Sequence, residues 1–432
     1  MRAATRTLRE SARLLERARR VIPGCTQTLS KNPTQWVQGV APVYIERGSG
    51  AHVWDVDGNR YIDFPMALGP VILGHANPAV NAAIARQLES GIAFTLPHPL
   101  EVEVAERIVE LVPGAERVRF AKTGSDVTSA AVRLARACTG REAVLACGYH
   151  GWHDWYIGST SRAAGVPMAV RDLIETFDFN DLASLDAALD SQHGETAAVI
   201  LEPCGAEEPA PGFLEGVVER AHAAGAVVMF DEIITGFRLA PGGAQERYGV
   251  QADLAAYGKA LGNGMPISAL VGKAELMDKL EDIFFSGTHG GETLSLAAAR
   301  AVLDQLDAGA YAALEAKGER LRTGIHGAID DAGVRDWVTV GGAAPRTVVT
   351  IREPEGSDPG LPAKTLVQQE LVKRGVLFNG SNFICLAHSD EDLDVAIEAY
   401  RDAFAALAEG LSGDLHELLE GEPIQPAFRP VA

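Results

Sequence analysis

The chain has 432 residues, with 38 Lys plus Arg against 58 Asp plus Glu and a formal charge of −20 at neutral pH. Hydrophobic residues make up 47% and charged residues 22%, the balance of a globular chain long enough for one large α/β domain and a smaller companion. A surface of this sign repels phosphates, which excludes nucleic acid as the default partner, and no apolar run approaches the roughly 18–20 residues of a membrane span. The five cysteines (Cys25, Cys138, Cys147, Cys204 and Cys385) are odd in number and form no CxxC pair. Neither a disulfide framework nor a metal site is expected, and a reducing cytoplasm suits them.

Arg2, Arg6, Arg9, Arg13, Arg17 and Arg20 recur at spacings of three and four, which predicts one face of a helix. An organellar transit peptide looks partly similar, but Glu10 and Glu16 interrupt the pattern. Residues 51–64 read as a β-hairpin around the turn Asp57-Gly58-Asn59. From about residue 76 helix and strand patterns alternate: helices at 78–90, 100–112 and 124–138, strands at 117–122 and 142–147. The runs AAVIL (197–201) and AVVMF (226–230) are short and continuously apolar, with a crossover helix at 214–224 between them. Such runs suit strands buried on both faces of a parallel sheet. After about 310 come a long helix at 312–332, strands at 338–340, 347–351 and 376–378, and helices at 366–373 and 393–411. The expected organisation is an N-terminal segment 1–75, a large domain 76–310 and a C-terminal small α+β domain 311–432. The loop 352–362 reads as the most flexible segment, and the tail 412–432 is weakly patterned.

Three constellations carry chemistry. Thr123-Gly124-Ser125-Asp126 sits at a strand end and opens a helix, where free N–H groups and a hydroxyl can cradle an anion. A plain N-cap at Ser125 or Asp126 explains that fragment as well. Asp231 and Glu232 follow a buried strand, at the edge where α/β sheets place ligands. An acid there can pair with a cationic ring nitrogen, with a metal, or with Arg238. Lys259 lies among small residues in YGKALGNG, open to a flat ligand and to Schiff-base chemistry; an exposed loop lysine is the plain alternative.

Together these parts are what pyridoxal phosphate (PLP) requires. TGSDVTSAAVRLARACTGR, GYHGWHD, LEPCGA, FDEIITGFR and YGKALGNGMPISALVGK resemble the class III PLP-dependent aminotransferases of fold type I, in the branch that contains glutamate-1-semialdehyde aminomutase. The resemblance runs from about Pro23 to Ala399. It implies an α/β large domain with a mostly parallel sheet, plus a small α+β domain built from both chain ends. It further implies Lys259 as the Schiff-base lysine and proton shuttle, Asp231 on the pyridine nitrogen, and Gly124 and Ser125 on the phosphate. Tyr149 and Ile233 would lie on the two ring faces, with Glu202 near the cofactor's O3 side or the substrate. Thr288 would reach the phosphate of a neighbouring subunit's cofactor, which implies a homodimer with shared sites. His150 reads as a structural hydrogen-bonder.

Two departures bear on the substrate. Aminomutase-like enzymes carry an arginine soon after the Pro-Gly turn; aligning Pro23-Gly24 puts Lys31 there, with Trp36 close by. Lysine pairs with a carboxylate only as a point charge. The C-terminal stretch where related enzymes use another arginine has none, and offers Asn379, Ser381 and Asn382, which suit sugar hydroxyls or form an ordinary turn. The expected activity is transfer of an amino group, from a donor such as L-glutamate, to an oxo-sugar. A 6′-oxo aminoglycoside intermediate of antibiotic biosynthesis fits a surface that attracts cations. The aminomutase and a PLP-binding protein without turnover are the alternatives.

Overall fold

The computed structural model describes residues 6–356 and 360–426. Arg2, residues 357–359 of the loop expected to be most flexible, and the end of the C-terminal tail from 427 lie outside them. Contacts divide the chain into a small unit, residues 6–68, 72–77 and 312–426, and a large unit, residues 69–71 and 78–311. Among the described residues no helix is long and apolar enough to cross a membrane.

In the small unit the arginine-rich helix spans Arg9–Val21, with Ser11 and Ala18 buried and the arginines facing solvent. Its first residue, Arg9, has no side-chain cap before it. The N–H groups of Glu10 and Ser11 instead donate to the Asp57 carboxylate, 2.8 and 2.9 Å away. Arg6 therefore lies before the helix rather than on its face. Its guanidinium donates to the carbonyls of Val372 and Lys373 and stacks over Tyr61. The predicted hairpin forms: β1 (Ile45–Ser49), β2 (His52–Asp55) and β3 (Arg60–Asp63) are antiparallel neighbours, with Val53 opposite Tyr61.

The large unit carries seven strands: β4 (Arg117–Ala121), β5 (Ala143–Cys147), β6 (Ile174–Thr176), β7 (Thr196–Leu201), β8 (Val227–Glu232), β9 (Leu254–Tyr257) and β10 (Ser268–Gly272). Their order in the sheet is β4-β10-β9-β8-β7-β5-β6. Neighbours from β9 to β6 are parallel, and β10 alone runs against both of its neighbours. Strands β5, β7, β8, β9 and β10 are buried along their whole length. That burial matches the continuous apolar runs at 197–201 and 226–230. Helices Pro78–Ser90, Pro99–Leu111, Gly124–Thr139 and Phe213–Ala223 lie within a residue or so of their predicted ranges. β9 and β10 were not anticipated: LAAY and SALVG are short, and glycine-rich sequence separates them.

The chain completes the small unit with β11 (Val338–Gly341), β12 (Arg346–Ile351), β13 (Val376–Leu377) and β14 (Ser381–Phe383). β11-β12-β14 form an antiparallel sheet, and β13 adds to β3 in parallel, so one sheet holds strands from both ends of the chain. Val37, Ala41, Val53 and Tyr61 bury against Val372 and Leu377 in the core this creates. Helix Asp390–Ser412, opened by a Ser389–Asp392 capping box, packs on helix Pro362–Lys373.

In the long helix Ala308–Ala332, Gly318 passes so close to the chain at Ala344 that an added Cβ would lie 1.9 Å from the Ala344 carbonyl oxygen. Backbone cannot swing aside as a side chain does. Gly318→Ala should therefore destabilise the small unit by about 3 kcal/mol, read as an early unfolding transition in denaturant titration. Gly327, with nothing within 4 Å of its Cβ position, is the control: Gly327→Ala should be neutral or stabilising.

Candidate active site

Topology alone assembles the large-unit candidates. β5, β7, β8 and β9 are parallel, and β4 points the same way because β10 reverses between them. All five therefore end on one edge of the sheet. Past those ends come Gly124 and Ser125 (after β4), Tyr149 and His150 (after β5), Glu202 (after β7) and Lys259 (after β9), with Asp231 in the last turn of β8. In the register of β8 with β9, Asp231 faces Ala256 and Glu232 faces Tyr257. Lys259 thus emerges just past the end of the adjacent strand, three residues beyond the acid's register partner Ala256.

The helix Gly124–Thr139 starts with a capping box whose N-cap is neither Ser125 nor Asp126, although Asp126 is its second member. Thr123 is the N-cap: its hydroxyl accepts the Asp126 N–H at 3.2 Å, and the Asp126 carboxylate accepts the Thr123 N–H at 2.8 Å. The first-turn N–H groups of Gly124 and Ser125 remain for an anion. The Ser125 hydroxyl accepts the Trp152 N–H at 3.3 Å. Gly151, at φ +106°, permits this approach, since its Cβ would fall 2.3 Å from Ser125 Oγ. Ser268, at the start of β10, donates to the Thr123 carbonyl at 2.8 Å and ties the cradle to the sheet.

Strand alternation sends the two adjacent acids to opposite faces. Asp231 Oδ2 lies 2.8 Å from His150 Nδ1, both groups buried, and Oδ1 accepts the Ile233 N–H at 3.1 Å. His150 Nε2 is 3.2 Å from the Cys147 carbonyl. A carbonyl only accepts, so Nε2 carries a proton and the ring is locked in place behind the acid. Glu232 is fully buried on the other face. It accepts from the Thr235 hydroxyl and from the N–H groups of Ala244 and Gln245, each at 2.9 Å. Burial pushes its carboxyl up to about 7 against those hydrogen bonds. It is a structural acid.

Glu202 accepts the Tyr149 N–H at 3.0 Å. The Tyr149 ring is half exposed, and burial together with the Asp231 and Glu202 carboxylates raises its phenol above the ordinary value. Ile233 packs into space left by two glycines: a Cβ on Gly124 would meet it at 3.2 Å, and one on Gly258 at 2.9 Å. Lys259 has φ +37°, left-handed for a residue with a side chain, so its backbone is strained just past the end of β9. A helix start with free N–H groups, a buried acid braced by a histidine and a lysine just past the adjacent strand end fit a planar, phosphate-bearing aldehyde.

The other candidates are placed by other elements. Thr288 is exposed and shares with Lys122, Asp126 and Ser129 an open cleft of about 1560 Å³, whose lining includes neither Gly124 nor Ser125. In the small unit Lys31 and Trp36 come together in a cavity of about 330 Å³, lined mainly by apolar groups including Val37, Tyr44, Val53 and Leu377. The turn Met66–Leu68, left-handed at all three residues, borders it and is held by Asp63, which accepts the Met66 N–H and pairs with His75. Asn379 and Ser381 are half-buried at a turn. Asn382 is fully buried; it donates to Thr347 and accepts from the Tyr400 hydroxyl, so its amide is engaged inside the small unit. Sequence reading missed the His150–Asp231 pair and Ser268; the YHG run immediately after a buried strand was the available signal for the first.

The sequence profile described as Aminotransferase class-III matches residues 35–334. The 3-aminobutyryl-CoA aminotransferase of Cloacimonas acidaminovorans (strain Evry) is 35% identical over 411 residues, covering 92% of this chain and 97% of that protein. A glutamate-1-semialdehyde 2,1-aminomutase of Symbiobacterium thermophilum is 38% identical over 428 residues, covering 92% and 98%. Among solved structures, the PLP internal aldimine form of the FumI protein of Sphingopyxis sp. MTA144 aligns with a TM-score of 0.86 at 30% identity, covering 95% of this chain and 99% of that one.

The raised Glu232 carboxyl makes a pH prediction with a definite sign. The folded state holds this proton more tightly than the unfolded chain, so the group's contribution to stability falls as pH rises from about 4.5 to about 7. Glu232→Gln removes that titration. The stability of the variant relative to the native chain should improve by about 3 kcal/mol across the window, measured by denaturant unfolding at pH 4.5 and 7.5. A difference that stays constant with pH would refute the assignment.

Proposed function

Since the chain belongs to the class-III aminotransferases, we propose that it binds PLP at the sheet edge of its large unit and transfers an amino group from L-glutamate or a similar donor to an aldehyde or ketone. The observation that carries this reading is the parallel register of β8 and β9, with Asp231 and Lys259 on adjacent strand ends. The N–H groups of Gly124 and Ser125, with the Ser125 hydroxyl, hold the phosphate. Asp231, braced by His150, faces the ring nitrogen and keeps a proton on it. Tyr149 and Ile233 bound the two ring faces, and Glu202 fixes the Tyr149 backbone beside the ring oxygen. Bound PLP supplies a carbonyl that takes up the amino group and a ring that withdraws electrons from the carbon losing its proton. Lys259 Nζ removes that proton from the donor and returns it one carbon away, as a general base and then a general acid. The same amine works in reverse on the acceptor.

For the acceptor we favour an oxo-sugar. Asn379 and Ser381 support it by offering neutral hydrogen bonding, whereas Asn382 is consumed within its own core. The aminomutase is the second reading, favoured by Lys31, a cation in an otherwise largely apolar cavity that suits a small carboxylate. The exposed apolar side chains Leu96, Val102, Val109 and Phe284, the last 84% exposed, support a homodimer. A second copy would cover them and bring Thr288 to its partner's phosphate. The five free thiols fit a reducing cytoplasm.

Lys259→Ala should keep its circular dichroism, lose the long-wavelength absorbance of bound PLP and lose at least about 10³-fold in turnover. Near-native turnover would remove Lys259 from its role. For the acceptor, the PLP-loaded protein is mixed with 6′-amino aminoglycosides, simple amino sugars and 4,5-diaminovalerate, and conversion to pyridoxamine phosphate is followed by absorbance. Response to diaminovalerate alone would replace the sugar reading by the aminomutase. Sedimentation should give a dimer at assay concentration; an active monomer would contradict the shared sites.

A further inference from the structure

Helix Gly124–Thr139 is rich in alanine past its first turn, yet it carries hydroxyls at Ser125, Thr128 and Ser129. Serine and threonine weaken a helix interior relative to alanine. Positions i, i+3 and i+4 share one face, and all three side chains are spent on the segment that follows β5. Ser125 Oγ accepts the Trp152 N–H at 3.3 Å. The buried Thr128 hydroxyl donates to the His150 carbonyl at 2.9 Å, closer than the Ser125 carbonyl of its own helix at 3.3 Å. Ser129 Oγ accepts the Trp155 indole N–H at 2.9 Å and lies 2.6 Å from His153 Nδ1. An indole nitrogen only donates. The Ser129 hydrogen is therefore left for His153 Nδ1, the one acceptor it has among the described residues, and His153 carries its own proton on Nε2.

The loop needs such holding. Gly148 and Gly151 bracket Tyr149 and His150 at φ +107° and +106°, two points where the chain could swing. Glu202, on the Tyr149 N–H, and the Tyr156 hydroxyl, donating to the Gly148 carbonyl at 2.6 Å, secure the near side. The hydroxyl face of the helix secures the far side, from His150 to His153. Ordering a glycine-rich loop costs backbone entropy, and bonds from a rigid helix offset that cost without help from a ligand.

We propose that Ser129 and His153, together with Thr128, are positioning residues of the cofactor site, holding the loop 148–153 in its cofactor-ready shape before PLP arrives. This rests on the aminotransferase reading above and adds what sets the affinity of that site. The three residues act through Tyr149, which bounds the ring, and through His150, which braces Asp231. A loop already in shape pays no ordering cost on binding. Part of the affinity for PLP therefore resides in hydroxyls a full helical turn beyond the anion cradle.

The test compares the native chain with Ser129→Ala, Ser129→Thr, His153→Ala and His153→Asn, the last keeping an acceptor oxygen near the position of Nδ1. Each full-length protein is stripped of cofactor and titrated with PLP, following the long-wavelength absorbance and the circular dichroism of that band. Amide hydrogen exchange across residues 149–154 is measured on the cofactor-free proteins, with melting temperatures in parallel. Ser129→Ala and His153→Ala should weaken PLP by about 10-fold, speed exchange across 149–154 and reduce the dichroism of the bound band. Ser129→Thr and His153→Asn should restore most of each loss. If the two residues only stabilise the fold, the melting temperature drops while PLP affinity, dichroism and loop exchange stay native, which overturns the proposal. A native chain that takes up no PLP defeats the aminotransferase reading and this inference with it. A native chain that binds PLP no more tightly than Ser129→Ala defeats the inference alone. Should Ser129→Ala fail to fold, Trp155→Phe removes the indole donor and keeps an aromatic ring; it should also weaken PLP, and native affinity there would equally overturn the clamp.

Discussion

Five strands of the large unit must end on the same edge of one sheet, and everything at the candidate site depends on that requirement. Parallel pairing carries β5, β7, β8 and β9 to this edge, and the single reversed strand β10 allows β4 to join them. Residues separated by more than a hundred positions in the chain are thereby neighbours, with no long loop needed to bring them together. The reversed strand begins where the others finish, and its first residue, Ser268, is bonded to the carbonyl of the cradle's N-cap. The rigid part of the fold and the anion cradle are therefore one hydrogen-bonded piece, which suits a site whose geometry must hold within tenths of an ångström.

The pleat then divides labour between two acids that are adjacent in sequence. Asp231 turns toward His150 and the open edge; Glu232 turns inward and holds the start of the short helix Ala244–Tyr248. Each carboxylate is satisfied by a different set of donors, so their environments are set independently although one peptide bond joins them. Gly243, whose Cβ would meet Glu232 at 2.5 Å, leaves the space for the second set.

Much of this was legible before the structure. Helical periods and fully apolar runs locate most large-unit elements, and an acid placed straight after a buried strand, with a lysine between glycines further on, points to the edge chemistry. What escaped depends on contacts without a local signature. His150 and Asp231 meet across 81 positions. Asn382 looks like turn sequence, but alternation from Ser381 carries it inward to Thr347 and Tyr400. Arg6 shares the spacing of its helical neighbours and yet stops short of the helix, because the cap is supplied from the hairpin at Asp57.

That borrowed cap has a consequence for the order in which the protein comes into being. The helix Arg9–Val21 leaves the ribosome before the β2–β3 hairpin, yet its opening N–H groups are satisfied only once that hairpin exists, and Arg6 finds its carbonyls only at Val372 and Lys373. β3 likewise waits for β13. The large unit, contiguous from 78 to 311, has all its strands once its own segment has emerged, whereas the small unit must keep its N-terminal half uncommitted until β13 has followed. Contacts of such long sequence separation form slowly. The exposed edge of β3 and the apolar residues around Val37 and Tyr61 are thus the part of the nascent chain that most needs protection from wrong partners.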